Sequence, residues 1–507
     1  MGRADGTTPS VCSVPAGVRF HPAAPTGRVL KNPACSGFPT QRRRSRECQT
    51  RCRWDFHHPA RTRLVQPDAD IRDYANHVID TESAPGPVNR VTNQLTEVAD
   101  GLAIVESFSH VWIVRTADGL VLFDASGVIS APRVIEAIRR WSTDPIHTIV
   151  YTHGHMDHVG GAGAFVADAE RRGHRRPNFV GHENIAPRLD RYDRTNGYNQ
   201  AINQRQFAPG RKAGMAIANN APRFVPEHTP RPDVDFRDSH TLEIGGETFI
   251  LRHDKGETDD HAWTEWVGHD TLFVGDFLIW NFPNCGNPQK VLRYPLEWAT
   301  AMRKMLATNP TLVSPAHGLP VIGAARNERV LGSIADALES LVGQVIDLLN
   351  ADAHLEDAIH TVKVPEAFTQ LPWLRPMYDE PEFVVRNIWR TYGGWWDGNP
   401  SHLHPAPPSV LADEIVALSG GSEPILARAR ALGDAGDFRT ACELIEFASR
   451  ALPTDTAVHA LRAELYARRR FDASSLMAKG IYLATATESA AIAGIEIPAA
   501  PRTNILG

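Results

Sequence analysis

The sequence has no run of 18 or more apolar residues, so it predicts no membrane-spanning helix. Residues 1–20 also lack the basic-then-apolar pattern of a secretory signal peptide. Positive charge is not in excess, because the net charge is −6, and this argues against nucleic acid or an anionic membrane surface as a partner. Together these absences predict a cytoplasmic protein.

Cysteine is scarce, and four of the six cysteines fall in the first 52 residues, at Cys12, Cys35, Cys48 and Cys52. A small zinc site, a disulfide framework and an unstructured leader are the alternatives for this segment. No Cys-x-x-Cys pair is present, which favours the leader. The arginine-rich run near its end is a nucleic-acid-binding arm or a solvated tail, and we expect the tail. Residues 1–65 are therefore predicted to be disordered.

The remaining chain is too long for one core and divides by composition into two parts. Residues 66–350 alternate between β-rich runs and amphipathic helical stretches, which predicts an α/β domain of two packed sheets with helices outside. The predicted strand regions are 102–124, 146–151, 241–252, 271–274 and 311–313, and the predicted helices are 132–141 and 333–349. Residues 351–507 contain a proline- and tryptophan-rich linker followed by helical hairpins, which predicts an all-α domain.

Four potential metal ligands lie within six residues, directly after the buried strand at 146–151. They are His153, His155, Asp157 and His158, and they lie on a loop that leaves the carboxyl end of that strand. Imidazole nitrogens and a carboxylate at this spacing suit zinc. The loop is therefore predicted to be a metal site.

This loop resembles the HxHxDH signature of the metallo-β-lactamase superfamily. The resemblance implies an αββα four-layer sandwich that holds two zinc ions. One ion would be bound by His153 and His155, and the other by Asp157 and His158. A Gly-Asp pair after a strand implies Asp276 as the bridging carboxylate, and Pro-Ala-His-Gly implies His317 as the last histidine.

Glu257 stands where most members of the superfamily have a third ligand histidine, and this substitution resembles the alkyl sulfatase branch. A second stretch, Trp395-Trp396-Asp397-Gly398-Asn399-Pro400-Ser401, resembles the start of the alkyl sulfatase dimerisation domain. This resemblance implies a homodimer formed through the helical part. The further C-terminal domain of the best-known alkyl sulfatases is not expected, since the sequence ends at Gly507.

The segment after Asp276 departs from the family pattern. Asn284 matches the family's sulfate-binding asparagine, but the place of its arginine falls at Asn287 or Gln289. Lys290 and Arg293 are the candidates to replace that arginine, although lysine lacks the planar fork that grips an oxyanion. Tyr198 and Arg205 share one side of a predicted helical segment and are further candidates for substrate binding.

The resemblance implies hydrolysis of alkyl sulfate esters by a hydroxide that bridges the two zinc ions. The predicted catalytic residues are Asp157 and His261. For His261 two roles stay open, protonation of the leaving alkoxide and positioning of a ligand, and positioning is favoured. A thioesterase, lactonase or phosphodiesterase on the same fold is the alternative function, and a non-catalytic scaffold acting through the helical part is the second.

Overall fold

The computed structural model describes residues 68–207 and 223–497. The predicted leader, residues 1–65, lies outside the described residues. Within the described part, no helix combines the length and apolar character needed to cross a membrane.

The first sheet has seven strands in sequential order. Its first four strands pair antiparallel, and the last three join as parallel neighbours. The predicted β-region 102–124 forms three of these strands, and the predicted strand 146–151 forms the fifth. The strands are β1 (Leu95–Ala99), β2 (Leu102–Val105), β3 (Val111–Thr116), β4 (Gly119–Phe123), β5 (Ile146–Val150), β6 (Asn178–His182) and β7 (Val234–Phe236).

The second sheet has six strands, and its order is the reverse of the sequence order. All pairs are antiparallel except β11 with β12, which is parallel. The strands are β8 (Ser239–Ile244), β9 (Glu247–His253), β10 (Ala262–Trp266), β11 (Thr271–Gly275), β12 (Leu312–Pro315) and β13 (Val321–Ile322).

The two sheets pack face to face, and side chains alternate between two cores along the first sheet. In β4, Val121 and Phe123 face the core between the sheets, whereas Leu120 and Leu122 face the outer helices. The Phe123 ring stacks on Phe273 of the second sheet with 3.6 Å between ring centroids. Because both faces of β4 are covered, the sequence of this strand is one continuous run of apolar residues. The predicted αββα sandwich is confirmed.

In the described part of this region, eight helices cover the outer faces of the sheets or connect their strands. Among them, α2 has the predicted apolar face, with Val134, Ile135 and Ile138 buried. The helices are α1 (Ile71–Thr81), α2 (Ala131–Trp141), α3 (Met156–Val159), α4 (Ala162–Arg172), α5 (Ile185–Arg194), α6 (Asn196–Phe207), α7 (Pro295–Ala307) and α8 (Ala324–Asn350).

Helix α8 begins nine residues before the predicted start at residue 333. Its first turns carry Arg326, Glu328 and Arg329. Because these charged residues interrupt the apolar pattern, the sequence does not predict the start of the helix. Between them, Asn327 is buried and its amide donates to the Pro310 carbonyl at 2.7 Å. A tertiary hydrogen bond thus stabilises a turn that the apolar periodicity alone does not predict.

The rest of the described chain is helical, as expected for residues 351–507. The hairpin pattern expected at 425–432 and 438–452 corresponds to α13 and α14, which share one apolar core with α15. The helices are α9 (Leu355–Thr361), α10 (Glu366–Thr369), α11 (Pro381–Gly393), α12 (Pro408–Leu418), α13 (Ser422–Asp434), α14 (Phe438–Ala451), α15 (Thr456–Asp472) and α16 (Leu476–Ala493).

Candidate metal centre

The histidine loop leaves β5 at Val150 and runs directly into the short helix α3. His153 and His155 lie on the loop, and Asp157 and His158 lie on α3. His153 and His158 are fully buried, and the His153 Nε2 and His155 Nδ1 atoms lie 2.8 Å apart. The order strand, loop and short helix therefore points several ligands toward one place.

The seven predicted metal ligands converge in two neighbouring groups. The side chains of His153, His155, Glu257 and Asp276 form one group, and those of Asp157, His158 and His317 form the other. Within each group the candidate ligand atoms all lie within 4.8 Å of one another. We call these seven residues the ligand cluster.

Asp276 lies between the two groups. Its Oδ2 atom is 3.8 Å from His153 Nε2 and 3.3 Å from His158 Nε2. Its Oδ1 atom is 3.5 Å from His317 Nε2. Asp276 is therefore within reach of both groups of candidate ligands.

Two glycines allow the segments that carry Asp276 and His317 to approach the loop. Gly275 has φ +53°, and a Cβ atom there would lie 2.6 Å from the Thr152 side chain. Gly318 has φ +90°, and a Cβ atom there would lie 2.3 Å from the Trp280 indole. A side chain at either position would displace a ligand, because backbone and neighbour both exclude it.

Three of the histidines are held so that Nε2 faces the cluster. His158 donates from Nδ1 to Asp124 at 2.7 Å, and His317 donates from Nδ1 to the Phe108 carbonyl at 2.6 Å. The Thr152 hydroxyl donates to Asp124 at 2.9 Å, so His153 Nδ1, 3.1 Å from that hydroxyl, is the donor to its oxygen. Such contacts fix the tautomer and orientation of a metal-binding histidine.

The donor set fits divalent cations. Three buried polar atoms of the cluster, His158 Nε2, Glu257 Oε2 and Asp276 Oδ1, have no hydrogen-bond partner among the described residues. Burial lowers the pKa of His153 and His155 well below the ordinary value, so both imidazoles are neutral and ready to coordinate. Burial also raises the pKa of Glu257 to about 7 despite the nearby Arg293. Metal ions would supply the partners and the positive charge that this set lacks.

His261 lies behind the cluster and does not line the pocket. Its Nε2 atom accepts a hydrogen bond from the backbone N–H of Asp276 at 3.2 Å, and its ring stacks on Phe277 at 4.0 Å. Of the two roles left open for His261, this location favours positioning of a ligand. The candidate ligand whose backbone it contacts is Asp276.

Glu257 is held by two residues that were expected to bind substrate. The Asn284 amide donates to Glu257 Oε1 at 2.5 Å. The buried Arg293 guanidinium also donates to Glu257 and reaches the Asn284 carbonyl at 2.7 Å. Both residues line the pocket, and Glu257 engages the Asn284 amide nitrogen and the arginine charge, whereas Arg293 Nε is buried without a hydrogen-bond partner among the described residues.

A pocket opens over the ligand cluster, and all three predicted contacts in the 284–293 segment line it. Its far wall is apolar and comes partly from the helical part of the chain, through Met377 and Leu476. The lining is Val88, Asn89, Phe108, His155, Met156, Asp157, Tyr192, Asn203, Phe207, Phe224, Glu257, Asp276, Ile279, Asn281, Asn284, Asn287, Lys290, Arg293, His317, Met377, Tyr378 and Leu476.

Tyr198 and Arg205 do not belong to that described lining, contrary to the expectation that they bind substrate. Tyr198 is 59% exposed, and its hydroxyl contacts the Gln289 carbonyl at 3.4 Å. Arg205 is exposed and donates to Gln289 Oε1 at 2.9 Å. They lie on helix α6 as predicted, but Asn203 and Phe207 are the residues of α6 that face the pocket.

Sequence reasoning missed several residues that hold the site. Asp260 is fully buried, accepts a hydrogen bond from the Gly154 N–H at 3.0 Å, and pairs with Arg188 at 2.8 Å. It therefore anchors the loop between His153 and His155. Asp124 follows β4 immediately, and this position after a buried strand is a signal that could have identified it. Asn203 and Tyr378 carry no comparable signal.

Two models of known protein families match this chain, each over a different range of residues. Residues 104–317 match the family model described as metallo-beta-lactamase superfamily, and residues 354–491 match the model described as alkyl sulfatase dimerisation. Residues 104–317 therefore carry a domain of the metallo-β-lactamase type, and residues 354–491 carry a domain of the alkyl sulfatase dimerisation type.

Among curated proteins, the chain is 27% identical over 399 residues to a linear primary-alkylsulfatase from a Pseudomonas species. The match covers 74% of this chain and 73% of that protein. An alkyl/aryl-sulfatase of Saccharomyces cerevisiae is 23% identical, with 68% of this chain and 55% of the yeast protein covered.

A solved structure of a stereoselective inverting sec-alkylsulfatase from a Pseudomonas species has a TM-score of 0.71 to this chain at 21% identity. The match covers 83% of this chain and 69% of that one. At this identity the likeness shows the shared fold alone.

Proposed function

We propose that this chain is a zinc-dependent hydrolase of alkyl sulfate esters. One observation carries the proposal: seven ligand-type side chains from four segments of the chain converge, with a glutamate, Glu257, where a histidine is usual. The names of the similar curated proteins, which are alkylsulfatases, support the substrate class. Apolar side chains that line the same pocket as the ligand cluster suit an ester of an apolar alcohol.

His153, His155 and Glu257 would hold one zinc ion, Asp157, His158 and His317 the other, and Asp276 both. Such a pair supplies Lewis acidity and lowers the pKa of water enough to provide a nucleophile near neutral pH. The expected bridging hydroxide and the catalytic assignment of Asp157 belong to this proposal.

The chain's own residues bind the substrate and orient the ligands. Arg293 and Asn284 fix Glu257, while Asp124 and the Phe108 carbonyl orient His158 and His317. The apolar side chains Phe207, Phe224, Met377 and Leu476 offer a dry wall for the alkyl part. Desolvation by that wall strengthens the electrostatic contacts at the charged end of the pocket.

The test is a substrate panel with and without metal. Purified full-length protein is treated with a chelator, reloaded with zinc, and assayed for release of inorganic sulfate from alkyl sulfates. Alkyl phosphates, lactones and thioesters are assayed in parallel. We expect sulfate release that disappears with the metal and returns with zinc. Robust lactone, thioester or phosphate-ester cleavage without sulfate release would contradict the sulfatase assignment, and activity that survives complete metal removal would contradict the metal dependence.

We also propose a homodimer formed through the helical part. The match to the dimerisation model supports it, and so does a set of exposed apolar side chains in residues 395–418. Leu418 is the most exposed of the set, at 83%, and the others are Trp395, Trp396, Leu403, Val410 and Leu411. Light scattering should give twice the chain mass, and Leu418→Asp should shift the protein toward monomer. A wild-type protein that is monomeric at micromolar concentration would refute this proposal.

A further inference from the structure

We infer that the turn formed by residues 287–290 is the subsite for the anionic oxygens of the substrate, with the Asn287 amide and the Lys290 ammonium as its donors. The inference rests on the proposed function and refines it, because it separates residues that hold the anion from those that hold Glu257. We call residues 287–290 the oxyanion turn.

The geometry of the oxyanion turn places both donors on one wall of the pocket. The backbone N–H of Lys290 donates to the Asn287 carbonyl at 3.3 Å and closes the turn. Both side chains line the pocket, together with Asp157, Glu257 and Asp276 of the ligand cluster. The turn and the ligand cluster therefore line the same cavity.

The Asn287 side chain has a donor to spare. Its Oδ1 atom accepts a hydrogen bond from the backbone N–H of Gln289 at 3.1 Å, which fixes the orientation of the amide. Its Nδ2 atom is buried and has no hydrogen-bond partner among the described residues. A buried amide nitrogen without an acceptor is costly, and an oxyanion would relieve that cost.

Among the described residues, the Lys290 ammonium has hydrogen-bond donors without acceptors and a charge without an ion-pair partner. In the described part of the chain its one hydrogen bond goes to Asn203 Oδ1, at 3.2 Å, and it forms no ion pair there. Asn203 in turn donates from Nδ2 to the Asn199 carbonyl at 2.8 Å, which keeps its oxygen toward the lysine. Burial, together with the nearby Arg293 charge, lowers the pKa of Lys290 to about 8, and the Asp157 and Glu257 carboxylates only partly oppose this shift.

Arg293 and Asn284 are the other two polar candidates in this segment, and both differ from Lys290 and Asn287 because they contact Glu257. The Arg293 charge is paired with Glu257, and the Asn284 amide donates to the same carboxylate. Lysine presents a point charge with three donors and no planar fork. Together with the Asn287 amide, it suits terminal oxygens of a tetrahedral sulfate group rather than a planar carboxylate.

The test measures binding of inorganic sulfate to the zinc-loaded protein by calorimetry, with inorganic phosphate as a second probe. We expect Lys290→Met to weaken sulfate binding about 30-fold and Asn287→Leu about 5-fold, since a hydrogen bond to a charged group exceeds a neutral one. Lys290→Arg should keep the affinity within about threefold, because it preserves the charge. Lys363→Met changes an exposed lysine outside the pocket and should have no effect.

Kinetics separate anion binding from a structural role. For an alkyl sulfate, Lys290→Met should raise KM far more than it lowers kcat, because the contact is made in both ground and transition states. Thermal unfolding and zinc content should match the wild type. A variant that loses zinc or unfolds early would instead indicate that Lys290 supports the structure, and this result would overturn the inference.

Failure of the subsite and failure of the proposed function give different results. Alkyl sulfate turnover with unchanged sulfate affinity in Lys290→Met would overturn the subsite alone. Sulfate binding that depends on Lys290, without turnover of any alkyl sulfate, would overturn the proposed substrate alone. Tighter binding of phosphate than sulfate would reassign the subsite to phosphate esters, and a wild-type protein that binds neither anion would refute the subsite.

Discussion

The ligand cluster and the oxyanion turn face the same pocket, but the surrounding chain holds them differently. Each histidine of the cluster that presents Nε2 is fixed from behind by a hydrogen bond, and Gly275 and Gly318 admit the segments beside it. The oxyanion turn keeps donors without partners among the described residues. The difference teaches that ligands held in a fixed geometry suit metal ions, whereas donors without partners suit an anion that binds and dissociates.

The largest effect is expected at the point shared by both halves of the cluster. Asp276→Ala should lower sulfate ester hydrolysis by at least about 10³-fold and remove zinc, because Asp276 lies within reach of both groups of ligands. Elemental analysis and sulfate release measure the two effects. Asp235→Ala, at an exposed position on β7, is the matched control. Full zinc content and activity in Asp276→Ala would refute the assignment of this cluster.

A smaller effect on zinc binding is expected for Asp124, which contacts a ligand of the cluster without belonging to the cluster. Asp124→Asn should weaken zinc binding about 10- to 100-fold, because the carboxylate orients both His158 and Thr152. Competition with a chelator of known affinity measures the change. Asp100→Asn, on an exposed turn, should leave zinc affinity unchanged. Equal zinc affinity in the two variants would show that zinc binding does not depend on the contacts that Asp124 makes with His158 and Thr152.

The anchor of the histidine loop is expected to affect stability more than chemistry. Asp260→Asn should lower the free energy of unfolding by about 2 kcal/mol, since it leaves the buried Arg188 with only one carboxylate, Asp259. Denaturant titration of the metal-free protein measures this change. Asp238→Asn serves as the exposed comparison. Unchanged stability would mean that the loop is held without this ion pair.

The smallest effects are expected on the exposed side of helix α6. Tyr198→Ala and Arg205→Ala should each change KM for an alkyl sulfate by less than about threefold, because both side chains contact Gln289 at the surface. A larger rise in KM would restore the original expectation that these residues bind substrate. It would also extend the oxyanion turn toward α6.

Much of the fold was predictable because it depends on local pattern. The apolar alternation along β2–β4 and the buried run of β5 were visible in the sequence, and the α2 helix was located within one residue. The first turns of α8 were not visible, since Asn327 is buried through a contact with Pro310 rather than through apolar periodicity. The domain boundaries at residues 65 and 350 remain predictions, and the pocket draws Met377, Tyr378 and Leu476 from beyond the second one.

The candidate site was predictable to the extent that motifs encode it. Spacing predicted the group His153, His155, Asp157 and His158, whereas Glu257, Asp276 and His317 followed from the family resemblance. The structure brings all seven side chains together. The supporting residues Asp260 and Asn203 were not predictable, because each acts on a segment distant in sequence. Asp260 is 106 residues from Gly154, and Asn203 is 87 residues from Lys290.

By itself, the sequence determined the kinds of ligand, their order along the chain and the two sheets that carry them. Only the tertiary structure decided which cations and amides in the pocket are engaged. Arg293 pairs with the Glu257 carboxylate, whereas Lys290 contacts the neutral side chains of Asn203 and Phe224. The physical reason is that pairing in a buried, low-dielectric site depends on which distant segments meet, and spacing along the chain does not record that.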